Sequence, residues 1–351
     1  MRRLPILPIV GLIFALCGAA RLQAELVWTP GQGWRIEGGA LAGLSGEDGR
    51  NALDLMNKAR ASEETGSVRS AIKGYERVTK RYPNSVFAAE AFYRSGLLYE
   101  KRREYYKAFD AFQSLVQRYP SSERFSQVIG DQYRIAQNLL DGKRAYMWGV
   151  VPGLKNREKS IEYFEQIVKN APFSDYAPLS LMNVARGHQR MNATEEAIDA
   201  LDRMINSYPS NVLTPDAYLK LAQTHASLVD GPAYDQASTK SAITYYEDYL
   251  IQFPGDSGAA SAEKGLSEMK TLLAQSKMIM ADYYYKYRRN YKAAKVFYNE
   301  AITTYPDSAV AARARTMLAD VDARLAGQNP PPVAPEQKAQ EPKKKKRFWL
   351  F

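Results

Sequence analysis

The chain has 351 residues, a composition ordinary for a globular protein, and a formal net charge of +10 at pH 7. It contains two histidines and one cysteine, too few to build a histidine-based metal centre or a disulfide framework. The positive charge is concentrated towards the two ends of the chain, so the central body gives little support for nucleic-acid binding.

The first 24 residues are predicted to be an export signal. Arg2 and Arg3 form a basic start, and the apolar stretch over residues 4–16 has the length of a signal-peptide core. That stretch is too short for a membrane-spanning helix, which needs about 20 apolar residues. Cleavage would follow either Ala20 or Ala24.

Cys17 offers an alternative to simple cleavage. Ala15 suits a bacterial lipidation motif, whereas Leu16 is bulkier than the motif prefers. Lipidation at Cys17 would anchor the mature chain to a membrane. Both outcomes are open from the sequence.

Residues 25–49 are predicted to form an N-terminal arm that begins as a short hairpin. Val27, Trp34 and Ile36 are strand-type residues on either side of a turn that contains Pro30 and Gly31. Two roles are open for this arm: it covers the exposed face of the first repeat, or it clips onto a partner protein.

One pattern recurs six times in the following part of the chain. In each copy a small residue precedes a proline by twelve positions, and bulky or apolar residues follow the small one after four and seven positions. This spacing places them on one face of an α-helix, which the proline then ends. The small residues are Ala71, Ala108, Ser160, Ala197, Ala242 and Ala294.

These copies resemble the tetratricopeptide repeat. The best copy covers residues 89–122, where Gly96, Tyr99, Ala108 and Phe112 fall at the positions of the motif. Gly96 is expected to face Ala108, where two helices touch. The resemblance implies an all-α fold, a superhelix of about six helical hairpins over residues 50–327.

Two spacings between copies are 52 residues, about 18 more than the repeat period of about 34. The first extra piece, residues 141–158, contains Trp148 between charged residues. Trp148 is predicted to be an interface anchor, unless the insertion packs over the third repeat. The second extra piece lengthens one helix, which is predicted to run from about Gly258 to Tyr287.

The order of these irregularities resembles the BamD family, the tetratricopeptide lipoproteins of the bacterial outer-membrane β-barrel assembly machinery. The resemblance covers residues 52–325 and is most specific in the last repeat, at Tyr283, Tyr284, Tyr291 and residues 304–308. It implies export, attachment to the inner face of the outer membrane, and binding to the barrel component and to unfolded outer-membrane proteins.

The predicted function is therefore a non-catalytic periplasmic scaffold of β-barrel assembly. The alternative is a general periplasmic adaptor for cell-wall or envelope complexes. No enzyme, cofactor or nucleic-acid partner is expected, because His188 and His225 fall on packed helix faces and no glycine-rich phosphate loop lies between a strand and a helix.

Partner binding is predicted along the concave wall, which the first helix of each repeat forms. Tyrosine mixed with arginine or lysine suits an extended segment, because aromatic faces bury side chains while cations hold carbonyl or carboxylate oxygens. The same residues could equally serve ordinary packing or solvated surface. The positions are Tyr93, Arg94, Leu97 and Lys101 in the second repeat, Arg186 and Arg190 in the fourth, and Tyr283 and Lys286 in the sixth.

Residues 328–351 are predicted to be a disordered basic tail. A proline-rich piece leads to four lysines at residues 343–346, and then to Arg347, Phe348 and Trp349. Cations beside aromatics suit anionic lipid headgroups, so the tail is either a membrane-surface contact or a solvated extension.

Overall fold

A computed structural model describes residues 25–37 and 47–327. The predicted export signal, the lipidation candidate Cys17 and the predicted tail lie outside the described residues. The chain divides after Leu213 into two compact units.

The first unit contains four β-strands in two small sheets and eight α-helices among its described residues. An antiparallel hairpin comes first, and a second, two-residue hairpin separates the fifth helix from the sixth. The elements are β1 (Glu25–Thr29), β2 (Gly33–Glu37), α1 (Glu47–Glu64), α2 (Val68–Arg81), α3 (Phe87–Lys101), α4 (Tyr105–Arg118), α5 (Phe125–Leu140), β3 (Tyr146–Met147), β4 (Val151–Pro152), α6 (Arg157–Asn170), α7 (Tyr176–Arg190) and α8 (Thr194–Ser207).

The second unit is helical throughout its described part. Its elements are α9 (Thr214–Ser227), α10 (Ala237–Gln252), α11 (Ala259–Lys286), α12 (Tyr291–Thr304) and α13 (Ala309–Leu325). The long helix α11 has 28 residues and lies within one residue of the predicted bounds at each end. Helices pair in sequence order, α1 with α2 through α11 with α12, which gives six hairpins and a final helix α13. The all-α fold of about six repeats is confirmed.

The predicted repeat register is also confirmed. Each of the six small residues is fully buried, as the close contact between two helices of a hairpin requires. The large residues four positions later are equally buried and form the centre of each hairpin. They are Tyr75, Phe112, Phe164, Leu201, Tyr246 and Tyr298.

In every repeat the second helix ends two residues before the proline, because proline cannot donate the next backbone hydrogen bond. Ser308 then caps α13, its hydroxyl accepting from the backbone N–H of Ala311 at 3.0 Å. Ser85 and Ser122 do not cap their helices in this way, since α3 and α5 begin after Val86 and Arg124.

Gly96 is the point of closest approach within the second hairpin. A Cβ atom at this position would come within 2.4 Å of the Phe112 ring, so the ring leaves no space for any side chain larger than that of glycine. Ala108 was predicted to face Gly96; the atoms nearest to this position belong to Phe112, one turn later on α4.

Tight turns inside three hairpins use non-glycine residues with positive φ. Arg103, Asn192 and Arg289 have φ values of 58°, 58° and 49°. An L-residue with a side chain adopts this left-handed conformation at a cost of about 1–2 kcal/mol. The first hairpin uses Gly66, with φ of 77°, at the corresponding turn.

The N-terminal hairpin covers the first repeat. Trp34 is buried against α1, and its backbone N–H donates to Asn57 Oδ1 at 2.7 Å. The guanidinium of Arg60 lies 4.1 Å from the ring centroid of Trp28. Of the two roles open for the arm, the structure shows the covering one.

Within residues 25–37 and 47–327, no helix has both the length and the apolar content needed to cross a membrane.

Candidate functional site

Tyr93 and Arg94 belong to the interior of the first unit. Tyr93 is 5% exposed, and its hydroxyl accepts a hydrogen bond from Gln127 Nε2 at 2.6 Å. Burial raises the pKa of this tyrosine. Arg94 pairs with Glu90 at 2.8 Å and lies 3.8 Å from Glu63. The prediction that these two side chains line an open groove is therefore corrected: both tie neighbouring helices together.

Leu97 and Lys101 lie further along α3. Leu97 is half-buried, whereas Lys101 is exposed at the end of the helix. Of the four residues predicted in the second repeat, Lys101 is the one that is exposed to solvent.

Arg186 and Arg190 meet at the end of α5. Both guanidinium groups lie 3.7 Å from Asp141 Oδ1, and Arg190 Nη1 also donates to the carbonyl oxygen of Leu140 at 2.9 Å. Cations stabilise the partial negative charge at a helix C-terminus. These interactions support a structural role for the pair, although both side chains remain about 40% exposed.

Tyr283 and Lys286 lie on the second unit's long helix, beside other large exposed side chains. Ile279, Tyr283 and Tyr287 follow one another at four-residue intervals and are 44%, 45% and 78% exposed. We call these three residues the α11 face. The rings of Tyr283 and Tyr287 are 6.0 Å apart. Lys286 is held near this face by Asp282, 3.5 Å away.

A groove adjoins the α11 face within the second unit. Its volume is about 380 Å³, similar to the volumes of about 390–450 Å³ of other surface grooves in the described part of the chain. An ion pair between Asp282 and Arg313 (3.5 Å) lies beside apolar walls. We call it the α11 groove; its main lining residues are Pro232, Met278, Ile279, Asp282, Val310 and Arg313.

Hydrogen bonds and ion pairs fix Asp282, which forms the floor of the α11 groove. Asp282 accepts a hydrogen bond from the buried Tyr298 hydroxyl at 2.6 Å, and it also faces Lys286 and Arg313. Burial raises the pKa of Tyr298, and so does its hydrogen bond to Asp282. An apolar or aromatic side chain fits the walls, while the two cations provide charge for an acidic or carbonyl oxygen.

Sequence reasoning missed half of this groove. Pro232, Val310 and Arg313 come from the α9–α10 loop and from α13, which lie far from α11 along the chain. A helix pattern indicates which face is buried but does not indicate which distant segment borders it. The one available signal was the tyrosine-rich stretch of α11 itself.

Trp148 stands at the tip of the β3–β4 hairpin and is 64% exposed. The hairpin rests on the turn of the second repeat, where the N–H of Tyr146 donates to the carbonyl oxygen of Arg103 at 2.7 Å. The exposed ring agrees with the predicted anchor, and partner binding by it stays a prediction.

The two histidines occupy packed surroundings. His225 stacks on Tyr245 with 5.4 Å between ring centroids, and His188 is half-buried in α7. Among residues 25–37 and 47–327, no group of three or more His, Cys, Asp or Glu side chains is arranged to hold a metal ion.

Comparisons with known families agree with these features. Residues 154–329 match the YfiO family, described as an outer membrane lipoprotein, and this region covers half of the chain. Residues 55–85 and 90–122 match the tetratricopeptide repeat. The matched segments include α11 and most of the helices that precede it, but not α5.

Two curated relatives share the name outer membrane protein assembly factor BamD. The Caulobacter vibrioides protein is 28% identical over 132 residues, which are 37% of this chain and 43% of the relative. The Rickettsia prowazekii protein is 26% identical over 151 residues, which are 43% of this chain and 60% of the relative. The chain thus spans about half the length of the curated relatives it matches.

Among solved structures, the apo form of RapI matches 79% of this chain and 76% of its own chain. The sequence identity is 13% and the TM-score is 0.33, too low to inform on function.

Proposed function

The chain belongs to the YfiO family of outer membrane lipoproteins, and on this premise we propose that it is a non-catalytic scaffold of outer-membrane β-barrel protein assembly. The match over residues 154–329 is the observation that carries the proposal. The names of the relatives, each an outer membrane protein assembly factor, support the same process.

In this proposal the α11 face and the α11 groove bind a protein partner. Burying a tyrosine or isoleucine side chain of the face contributes about 1.5–3 kcal/mol. Aromatic residues at the centre of an interface carry much of its binding energy. The cations Lys286 and Arg313 at the rim select a partner surface that offers acidic or carbonyl oxygens. The proposed partner is the barrel component of the machinery, with unfolded outer-membrane proteins as further ligands.

The proposed location is the periplasm, at the inner face of the outer membrane. A lipid at Cys17 would hold the mature chain there, and the basic residues 343–347 offer a second contact with anionic headgroups. The mass of the mature N-terminal peptide distinguishes the lipidated form from a chain cleaved after Ala20 or Ala24.

The test is purification of the tagged protein from the membrane fraction of its native cells, after chemical crosslinking. The proposal expects an outer-membrane β-barrel assembly protein as the main partner. It also expects that partner to be lost from a Tyr283→Ala, Tyr287→Ala double variant. The control is Val296→Ala, which changes a residue of α12 that is 54% exposed and lies outside the α11 groove.

Two results would count against the proposal. One is a soluble protein accompanied only by cell-wall or envelope enzymes, which would move the function to a general periplasmic adaptor. The other is equal recovery of the partner with the double variant and the control, which would remove the α11 face from the interface.

A further inference from the structure

A second groove lies in the first unit, between the start of α2, the turn that joins α3 to α4, and the tip of the β3–β4 hairpin. Its volume is about 390 Å³. We call it the Trp148 groove. The residues that concern its chemistry are Arg69, Lys73, Tyr99, Arg102, Lys107 and Trp148.

The hairpin that carries Trp148 is fixed in place by the second repeat. Arg102 Nη2 donates to the carbonyl oxygen of Trp148, and the same guanidinium lies 3.0 Å from Glu104. The Glu104 side chain is 2% exposed, so it holds Arg102 in position from within the protein. The wall of the groove that contains Trp148 is therefore already formed in the absence of a partner.

The backbone at the tip is strained. Trp148 has φ of 54°, which is unfavourable for a residue with a side chain. Next to it, a Cβ atom on Gly149 would come within 2.5 Å of Arg102 Nε, so the Arg102 side chain packs directly against the backbone of the tip. The strained backbone of Trp148 and the contact with Arg102 together hold a large aromatic ring in water. Strained backbone and exposed apolar surface both cost stability, and they are typical of sites that bind a partner.

The opposite wall offers cations that the protein itself does not neutralise. Arg69 and Lys73 are exposed on one face of α2, and neither forms an ion pair within the described part of the chain. Lys107 adds a third exposed cation, which is paired with Glu104 at 2.8 Å. With Arg102, the groove holds four cations against the two carboxylates of Glu76 and Glu104.

We propose that the Trp148 groove binds a short acidic segment of a partner protein, which places an apolar or aromatic side chain against Trp148 and Tyr99 and its carboxylates against Arg69 and Lys73. The volume suits a few residues of extended chain rather than a folded domain. A single short groove with a small excess of positive charge does not suit a nucleic acid, which needs a longer basic track.

This inference does not rest on the proposed function. The groove lies wholly in the first unit, and the α11 face lies in the second. A failure of one test therefore leaves the other unaffected.

The test uses the full mature chain and three fluorescein-labelled peptides. The acidic peptide has the core Glu-Asp-Phe-Glu-Asp-Leu, the neutral one has Gln-Asn-Phe-Gln-Asn-Leu, and the third replaces Phe and Leu of the acidic core by Gly. Binding is followed by fluorescence anisotropy at two salt concentrations. We expect saturable binding of the acidic peptide, weakened by salt, and at least tenfold weaker binding of the other two.

Variants separate this groove from general charge effects. The double variant Arg69→Glu with Lys73→Glu is expected to weaken binding of the acidic peptide at least tenfold. Trp148→Ala is expected to weaken it about tenfold. Arg50→Glu with Lys58→Glu, a matched double charge reversal at exposed positions of α1, is expected to leave the affinity unchanged. Circular dichroism melts establish that each variant is folded.

The proposal is overturned if the acidic peptide does not bind, if the neutral peptide binds as well, or if the groove variants bind like wild type. It is also overturned if phosphatidylglycerol vesicles bind in a way that depends on Trp148 while the peptides do not, since the groove would then recognise a lipid surface.

Discussion

The hydroxyl of Tyr298 donates a 2.6 Å hydrogen bond to Oδ1 of Asp282, which joins the core of the last hairpin to the floor of the α11 groove. Tyr298 is fully buried and follows the small residue Ala294 by four positions, so it is part of the repeat register. Asp282 lies on α11, beside Lys286 and Arg313. The side chain that packs the repeat thus also positions the charges of the proposed binding surface.

Tyr298→Phe is expected to lower the free energy of unfolding by about 1–2 kcal/mol, because the variant leaves Asp282 without its buried donor. Urea denaturation followed by circular dichroism measures the change. The matched control is Tyr284→Phe, whose ring stacks on Phe297 and whose hydroxyl makes no hydrogen bond among the described residues. The control is expected to stay within about 0.5 kcal/mol of wild type. Equal stability of the two variants would contradict the role given to the Tyr298 hydroxyl.

Ala108→Asp is expected to unfold the second hairpin. Ala108 is fully buried where α3 and α4 touch, so the variant places an unpaired charge in the interior at a cost of several kcal/mol. The measurement is a thermal melt. Gln117→Asp introduces the same side chain at an exposed position of α4 and is expected to have a small effect. An unchanged melt for Ala108→Asp would show that the repeat register is wrong.

Arg289→Gly is expected to stabilise the protein by about 0.5–1 kcal/mol. The gain arises because glycine adopts positive φ without strain, and it exceeds the entropy that glycine adds to the unfolded chain. Lys292→Gly, three residues later inside α12, is expected to destabilise by about 1 kcal/mol. Urea midpoints of the two variants should therefore move in opposite directions. A loss of stability in both would mean that the turn at Arg289 is not strained.

Alkaline pH is expected to weaken the fold through its buried tyrosines. Burial is the main cause of the raised pKa values of Tyr75, Tyr163 and Tyr298. Below the unfolded pKa of about 10, these tyrosines are protonated in both states and their full contribution is present. Above it, the unfolded chain loses protons that the folded chain retains, so stability falls as pH rises. Urea midpoints at rising pH measure this loss.

Tyr163→Phe tests the contribution of one buried tyrosine to this loss of stability at alkaline pH. The centroid of its ring lies 3.6 Å from that of Phe109, and its buried hydroxyl has no hydrogen-bond partner among the described residues. The variant is expected to match or exceed wild-type stability at neutral pH and to lose less stability at high pH. A pH dependence identical to that of wild type would exclude Tyr163 from the titration.

Local patterns were sufficient to predict the repeats. The positions of Ala71 and its five equivalents follow from helical spacing, and the end of each second helix follows from proline chemistry. The extra length of α11 followed from the 52-residue spacing between the last two copies of the repeat pattern. Each of these features follows from residue spacing along the chain and requires no knowledge of which distant segments pack together.

Contacts between distant segments could not be predicted in this way. Tyr93 was placed on an open wall, yet Gln127 of α5 and Arg124, just before that helix, close over it. The sequence also did not indicate that the ring of Phe112, which reaches back along its helix, would be the nearest neighbour of Gly96. The position of Arg313 in the α11 groove was not predicted, since nothing in the sequence places α13 beside α11.

The most direct test of the central claim, that the α11 face binds a component of outer-membrane β-barrel assembly, is site-specific photo-crosslinking in native cells. A photoreactive phenylalanine analogue replaces Tyr283 in one strain and the control residue Val296 in another, and the adducts are identified by mass spectrometry. The account predicts an adduct with an outer-membrane assembly protein from position 283 and none from position 296. The same adducts from both positions, or only cell-wall enzymes from position 283, would contradict it.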